Sequence, residues 1–306
     1  KLKLDFSKIN VLLIGDFMID SYIFGNSTRQ SPEAPVPVIK EHKIEFVPGG
    51  AGNVAMNLKS LGANVSCLGY IGKDLPGDEL IKIFRTKEID YKYLQKGKIS
   101  TTVKKRYFSN GKQVLRIDHE EVVDNWKPQS ISELKIDNYD IIILSDYDKG
   151  VLNNDWFKSL KFRNIIADPK KNNFSFYSNA KIITPNLNEL QKATKIKHDD
   201  FDSIKKACNE ILAKSNLEYI VAKMGQKGMM VVGKNEFSKI IDPYFVEKPD
   251  VTGAGDTVIA AFSLAYVKYE DVELAAKIAN AAASIAVSKK GTATVKINEL
   301  ESLLAK

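Results

Sequence analysis

The sequence predicts an α/β protein in which a mainly parallel β-sheet is flanked by helices and carries a small β-sheet lid. Three observations predict it. Short apolar runs recur along the chain and end on polar residues, as buried parallel strands do. Helical patterns lie between most of them. Two extended segments break that rhythm, one of them around Asn110-Gly111, a strong hairpin signal.

In chain order, residues 11–14 form the first run, before Gly15 and Asp16. Residues 36–46 read as an extended strand pair, and residues 51–61 as a helix. Residues 101–108 and 113–118 flank the Asn-Gly turn. The lid is therefore expected within about residues 21–47 and 99–119. Further runs end at Asp146, Asp168, Thr184 and Ala222, with helices expected over 186–193, 201–214 and 255–268. Ligands of such sheets bind outside the carboxyl ends of the strands, where Asp16, Asp146, Asp168 and Thr184 fall. No repeat, low-complexity tract or Gly/Pro/Ser-rich linker divides the chain, so residues 1–306 read as one domain.

The 306 residues are 44% apolar, enough to bury a substantial core. No apolar run reaches the roughly 18 residues that span a bilayer, and no secretory signal opens the chain. With Cys67 and Cys208 far apart and no CxxC spacing, the expectation is a soluble protein of the cytoplasm. The net charge of +7 comes from scattered lysines without a basic-aromatic cluster, so neither nucleic acid nor membrane is an expected partner. His42, His119 and His198 have no ligand spacing and are assigned no metal.

The segment 250–257 (Asp-Val-Thr-Gly-Ala-Gly-Asp-Thr) is the most informative. Gly253, Ala254 and Gly255 let backbone N–H groups approach an anion at a helix start. Asp256 beside them can accept a proton from an attacking hydroxyl. The other reading of Asp256 is an N-cap after a flexible loop. Asp16 and Asp20 lie a helical turn's length apart beyond a strand end, as acceptors for sugar hydroxyls or as turn residues. Asn53, next to Gly49 and Gly50, offers an amide from a helix start.

Residues 48–55 (Pro-Gly-Gly-Ala-Gly-Asn-Val-Ala), followed by Leu61-Gly62-Ala63 and residues 69–77, resemble the first signature of the PfkB carbohydrate kinases. Residues 250–257 resemble the second, and the likeness covers essentially the whole chain. It implies the ribokinase-like fold and an ATP-dependent sugar kinase with Asp256 as base. Residues 15–20, 29–38, 115–118 and 145–150 are similar to the branch that phosphorylates D-glycero-β-D-manno-heptose 7-phosphate at the anomeric oxygen, a step of ADP-heptose and lipopolysaccharide core synthesis. That branch is often fused to a nucleotidyltransferase. The chain ends at Lys306 without an HxGH-type motif, leaving open a stand-alone kinase or the kinase part of a longer protein. A kinase of another sugar and a catalytically silent nucleotide or sugar sensor are the alternatives.

A sugar phosphate needs cations. Lys104 and Arg106 alternate on one face of a lid strand with Arg116 across the hairpin; solvated edge charges are the other reading. Arg29 and Lys149 are secondary candidates, and Glu33, Asp118 and Tyr147 weaker sugar contacts. For ATP, Asn186 and Glu189 share one face of a helix start, where the resemblance implies the phosphates and a hydrated Mg²⁺, and where a cap with a dipole-matched Glu also fits. Lys223, Gly225 and Gly228 resemble the nucleotide loop, with Ala222 standing where a threonine is usual; the resemblance implies that Asn280 borders the adenine, and plain packing in an Ala-rich helix is the other reading. The resemblance also implies a monovalent cation, K⁺, near Asp250, Thr252 and residues 289–292. It allows a homodimer through the lid, for which Val36 to Ile39 is apolar enough.

Overall fold

The structure, a computed structural model, describes residues 3–129, 131–197 and 200–305; His198 lies outside them. It begins with two long strands, β1 (Asn10–Gln30) and β2 (Pro37–Gly50), then helix α1 (Ala51–Ser60), β3 (Asn64–Gly72), α2 (Leu75–Thr86) and β4 (Asp90–Gly97). A hairpin of β5 (Thr102–Ser109) and β6 (Lys112–His119) follows, then β7 (Ile141–Ser145), β8 (Ile165–Asp168), β9 (Ile182–Ile183), α3 (Leu187–Thr194) and α4 (Phe201–Ala213). The chain continues as β10 (Tyr219–Lys223), β11 (Met229–Gly233), β12 (Ser238–Ile241), α5 (Ala254–Tyr269), α6 (Val272–Val287) and α7 (Ile297–Leu304).

The main sheet has the order β12-β11-β10-β9-β8-β7-β1-β3-β4. It is parallel from β4 to β10 and antiparallel at the β11–β12 edge. Its central strands are apolar on both faces, because helices cover both. Val11 and Leu13 join the core under α1, α5 and α6, while Leu12 and Ile14 join the core under α4. Helix α5 is buried without interruption from Asp256 to Tyr266, since it lies between the sheet, α1 and α6. Among the described residues no helix is long and apolar enough to cross a membrane.

The lid differs from expectation in how it is attached. β1 does not end at Gly15-Asp16 but runs on to Gln30, leaving the main sheet and becoming the centre of a second one. There it pairs antiparallel with β2 and parallel with β5, which carries β6. The carboxylates that suggested a strand end are compatible with a buried strand because each finds donors, as described below. The expected strand pair at 36–46 is one strand, β2, paired along its length with β1. The hairpin turns at Asn110 and Gly111, both with positive φ (51° and 78°), as a two-residue turn between right-twisted strands requires.

Candidate active site

Helix α5 starts without a side-chain cap. Gly253 occupies the cap position at φ 74°, and a Cβ there would lie 2.5 Å from Asn53 Nδ2, so the position needs glycine for both conformation and space. The Ala254 N–H turns back to Val251 O (3.2 Å), which removes it from the expected nest. The N–H groups of Gly255 and Asp256 precede any intrahelical acceptor and remain donors at the positive helix end.

Asp256 is not the N-cap. Its side chain turns inward, 4% exposed, where Oδ2 accepts from Asn53 Nδ2 (2.8 Å) and Oδ1 from the Tyr147 hydroxyl. Asn53 is oriented by Asn57, one turn on in α1, which donates to Asn53 Oδ1 (3.3 Å) and leaves the Asn53 amide hydrogens for the carboxylate. Burial pushes the Asp256 carboxyl up to about 7; the Tyr147 and Asn53 donors pull it down, Asp168 adds to the rise and Lys223 opposes it. A carboxyl in that range suits a general base at neutral pH.

On the lid side, Asp20 Oδ1 accepts from Arg106 Nη1 (2.8 Å), a pair only 8% and 12% exposed. Arg106 also lies over the Tyr22 ring (5.4 Å), whose hydroxyl meets Thr292 Oγ1 (3.0 Å). β5 sets Lys104 beside Asp20 and Arg106 beside Tyr22, so both cations share one face; Arg116 stands opposite Arg106 on β6. Arg116 is bidentate to Asp118 and Lys149 pairs with Glu120. Among the described residues Lys104 has no ion pair; it lies over the Tyr147 ring (5.5 Å), and burial lowers its ammonium. Arg29 and Glu33 sit at the exposed lid tip, beyond the last β1–β5 pair of Gly25 with Ser109, and do not join this cluster. Gly49 and Gly50 close β2 against β1; a Cβ on Gly49 would come within 2.7 Å of Asp20 Oδ2.

Asp16 differs from expectation. Its carboxylate accepts the backbone N–H groups of Tyr147, Lys149 and Val151 (2.8, 3.2 and 3.2 Å), which leaves little acceptor capacity for a sugar. It instead shapes the loop after β7. Burial, then Asp146, pushes its carboxyl up to about 6.

On the other side of α5 lies a cleft of about 500 Å³. Asn186, Lys223, Gly225, Gly228 and Asn280 line it, with Ala254 and Gly255 from the helix start and the 92% exposed Phe245. Asn186 and Glu189 form a reciprocal capping box (2.9 and 2.8 Å), so the capping reading holds geometrically and both groups are partly engaged. Lys223 Nζ donates to Asp168 Oδ1 (2.6 Å), which also accepts from Thr184 (2.9 Å). A Cβ on Gly255 would meet Lys223 Nζ at 3.3 Å and Asp168 Oδ2 at 3.8 Å, so this ion pair faces the helix start. Ala222 is buried in the core under α4 and offers nothing to the cleft. Asn280 Nδ2 donates to Asp242 O (2.7 Å).

No group of three or more His, Cys, Asp or Glu able to hold a metal occurs among the described residues. Asp250 binds its own loop, accepting from Thr252 N (3.1 Å) and Gly291 N (2.7 Å). Burial alone would raise its carboxyl, but these donors outweigh it and hold it below the usual carboxylate value.

Two helix starts, a buried carboxylate and a cleft thus meet at α5. The profile described as pfkB family carbohydrate kinase matches residues 8–299. The chain belongs to the pfkB family. It has the ribokinase-like fold of that carbohydrate-kinase family. Among curated relatives, the bifunctional protein HldE of Sulfurimonas denitrificans is 39% identical over 95% of the chain and 63% of that protein. The bifunctional protein HldE of Hydrogenovibrio crunogenus is 36% identical over 98% of the chain and 64% of that protein. The chain thus spans just under two thirds of the curated relatives it matches. Phosphofructokinase-2 of Escherichia coli, solved with potassium, superposes with a TM-score of 0.79 at 19% identity over 98% of both chains. The Arabidopsis thaliana ribokinase, solved with ribose and ATP, gives 0.76 at 21% identity over 97% of this chain and 99% of that one. At such identities the likeness is one of fold.

Sequence reasoning did not single out Asn57; it named Asp168 only as a polar strand end, Thr292 only within the 289–292 loop expected near a monovalent cation, and Tyr147 only as a weaker sugar contact. Asn57 had a signal, an amide four residues after Asn53 in an otherwise small, apolar helix face. Asp168 had one too, as the polar end of a buried run. The contact of Thr292 to Tyr22 had none, since it depends on how far β1 continues.

Proposed function

We propose that the chain transfers the γ-phosphoryl group of ATP to the anomeric oxygen of D-glycero-β-D-manno-heptose 7-phosphate, giving the 1,7-bisphosphate in the cytoplasm. The observation that carries this reading is a group of cations on the lid that reaches a buried carboxylate at a helix start. Lys104, Arg106 and Arg116 share the lid face, and Tyr147 links Lys104 to Asp256, its ring under the Lys104 ammonium and its hydroxyl on the Asp256 carboxylate. An acceptor with a phosphate at one end and a reacting hydroxyl at the other matches that layout. The heptose-kinase-like segments at 29–38, 115–118 and 145–150 and the relatives named HldE support the same substrate.

In this reading Arg106, held by Asp20 and Tyr22, and Lys104 bind the 7-phosphate, with Arg116 across the hairpin. Asn53 and Asp20 orient the sugar hydroxyls. Asp256 takes the proton of the anomeric hydroxyl as its oxygen bonds to the γ-phosphorus, the β–γ bridge bond breaks, and ADP leaves. The Gly255 and Asp256 N–H groups and Lys223 stabilise charge on the transferred group. Asn186, Gly225, Gly228 and Asn280 line the nucleotide's cleft. A magnesium ion on the phosphates would neutralise their charge, with Glu189 as an outer acceptor. K⁺ would sit by the Asp250–Thr252 and 289–292 loops. The exposed lid residues Val36, Ile44 and Leu115 would pair across a homodimer.

The test compares the heptose 7-phosphate with the heptose lacking its phosphate. Loss of two charge-assisted contacts is expected to lower kcat/KM by about 100-fold or more. Equal use of both sugars would remove the lid cations from the proposed site. A second expectation concerns pH. Because ionised Asp256 is the active form, kcat/KM should rise with pH through a limb near 7. A profile flat from pH 5 to 9 would contradict the assignment of the base.

A further inference from the structure

We propose that Tyr147 is a positioning residue for the catalytic base, its phenol holding the Asp256 carboxylate in place and ionised by a hydrogen bond. The proposal rests on the reading of Asp256 as the base and adds a residue to it.

The loop after β7 is built to deliver that phenol. Asp16 accepts the N–H groups of Tyr147, Lys149 and Val151. Asp146, itself buried, accepts the Asp148 N–H (2.8 Å) and the Tyr177 hydroxyl (2.6 Å). Asp148 is held at φ 58°, a left-handed conformation costly for a residue with a side chain, and it persists because these bonds over-determine the loop. So much fixed structure around one residue directs its side chain, and the Tyr147 hydroxyl ends on Asp256 Oδ1.

The chemistry follows from what else faces Asp256. Asn53 on α1 donates to the other oxygen, Asp168 on β8 repels the carboxylate, and Lys223 on β10 attracts it but is spent on Asp168. Burial favours the protonated acid, which is useless as a base, and the two neutral donors oppose that. The phenol keeps its own proton, since burial and the Asp256 charge push its ionisation far up, so it acts as a donor only. A carboxylate oxygen has two lone pairs, so the sugar hydroxyl can bind Asp256 while the Tyr147 contact persists. The hydroxyl's proton then passes to Asp256, and the Tyr147 proton stays on the phenol.

The experiment is the pH dependence of kcat/KM for wild type, Tyr147→Phe and Asp256→Asn, with the heptose 7-phosphate as acceptor and saturating ATP. Losing one donor to a buried carboxylate is expected to move the acid limb of Tyr147→Phe upward by about one pH unit, with activity recovered at alkaline pH. The Asp256 carboxyl, followed by infrared difference titration as the band absent in Asp256→Asn, should move by the same amount. An unmoved limb with uniformly lower kcat/KM, or a rise in sugar KM alone, overturns the proposal and makes Tyr147 a packing or sugar-contact residue. Normal turnover in Asp256→Asn instead overturns the base reading itself. Should Tyr147→Phe not fold, 3-fluorotyrosine at 147, a stronger donor, should move the limb downward; no movement overturns the proposal equally.

Discussion

Replacing Asp256 with Asn is expected to lower kcat by at least about 1000-fold while leaving ATP binding near normal, because the nucleotide cleft is lined by other residues. The same substitution should stabilise the protein. The Asp256 carboxyl titrates near 7 in the fold against a reference near 3.8, so the ionised form is disfavoured by folding. That penalty begins as pH rises above about 4 and is complete above about 7, where it amounts to roughly 4 kcal/mol. Asn removes the charge but keeps one acceptor, so part of that energy should appear as a higher Tm at pH 8 and vanish near pH 4. Calorimetry at the two pH values checks the sign; a lower Tm at pH 8 would mean that the Asn53 and Tyr147 bonds outweigh burial.

Arg106→Ala is expected to raise the KM for the sugar phosphate by about 10- to 100-fold with kcat within several-fold, as for a group that holds phosphate equally in ground and transition states. A second effect must be separated from this. Asp20 loses its partner in a buried setting, which costs on the order of 3 kcal/mol or more in stability. The double variant Asp20→Asn, Arg106→Ala removes the orphaned charge and should regain much of the stability without regaining KM. If KM returns with stability, Arg106 is a structural partner of Asp20 and not a phosphate ligand.

The fold was legible because its signals are local. Apolar runs mark buried parallel strands, Asn110-Gly111 permits only a few turns, and Gly253 marks a helix start where φ is positive and a Cβ would not fit. What stayed hidden depends on long-range pairing. Nothing near Asp16 shows that β1 passes through it to Gln30, because the donors that make a buried Asp16 tolerable come from a loop more than a hundred residues later. The same distance concealed what Asp16 does. A carboxylate next to Gly15 reads as a ligand for sugar, and only the assembled loop shows it accepting three backbone N–H groups. Asp256 was readable as an acid at a helix start, yet whether it caps or faces inward turns on Gly253 taking the cap position, and on Asn53 and Tyr147 converging from elsewhere. Asn186 and Glu189 show the opposite case, in which spacing identifies the pair and the capping box accounts for that spacing without a ligand.

The central claim is phosphorylation of the anomeric oxygen of a heptose 7-phosphate. The most direct test incubates the protein with ATP, Mg²⁺ and, separately, the heptose 7-phosphate, fructose 6-phosphate, fructose 1-phosphate and ribose, and reads product position by phosphorus NMR. Turnover confined to the heptose phosphate, with a new anomeric phosphate signal, is the predicted result. Turnover of another sugar in its place, or none with any of the four, would contradict it.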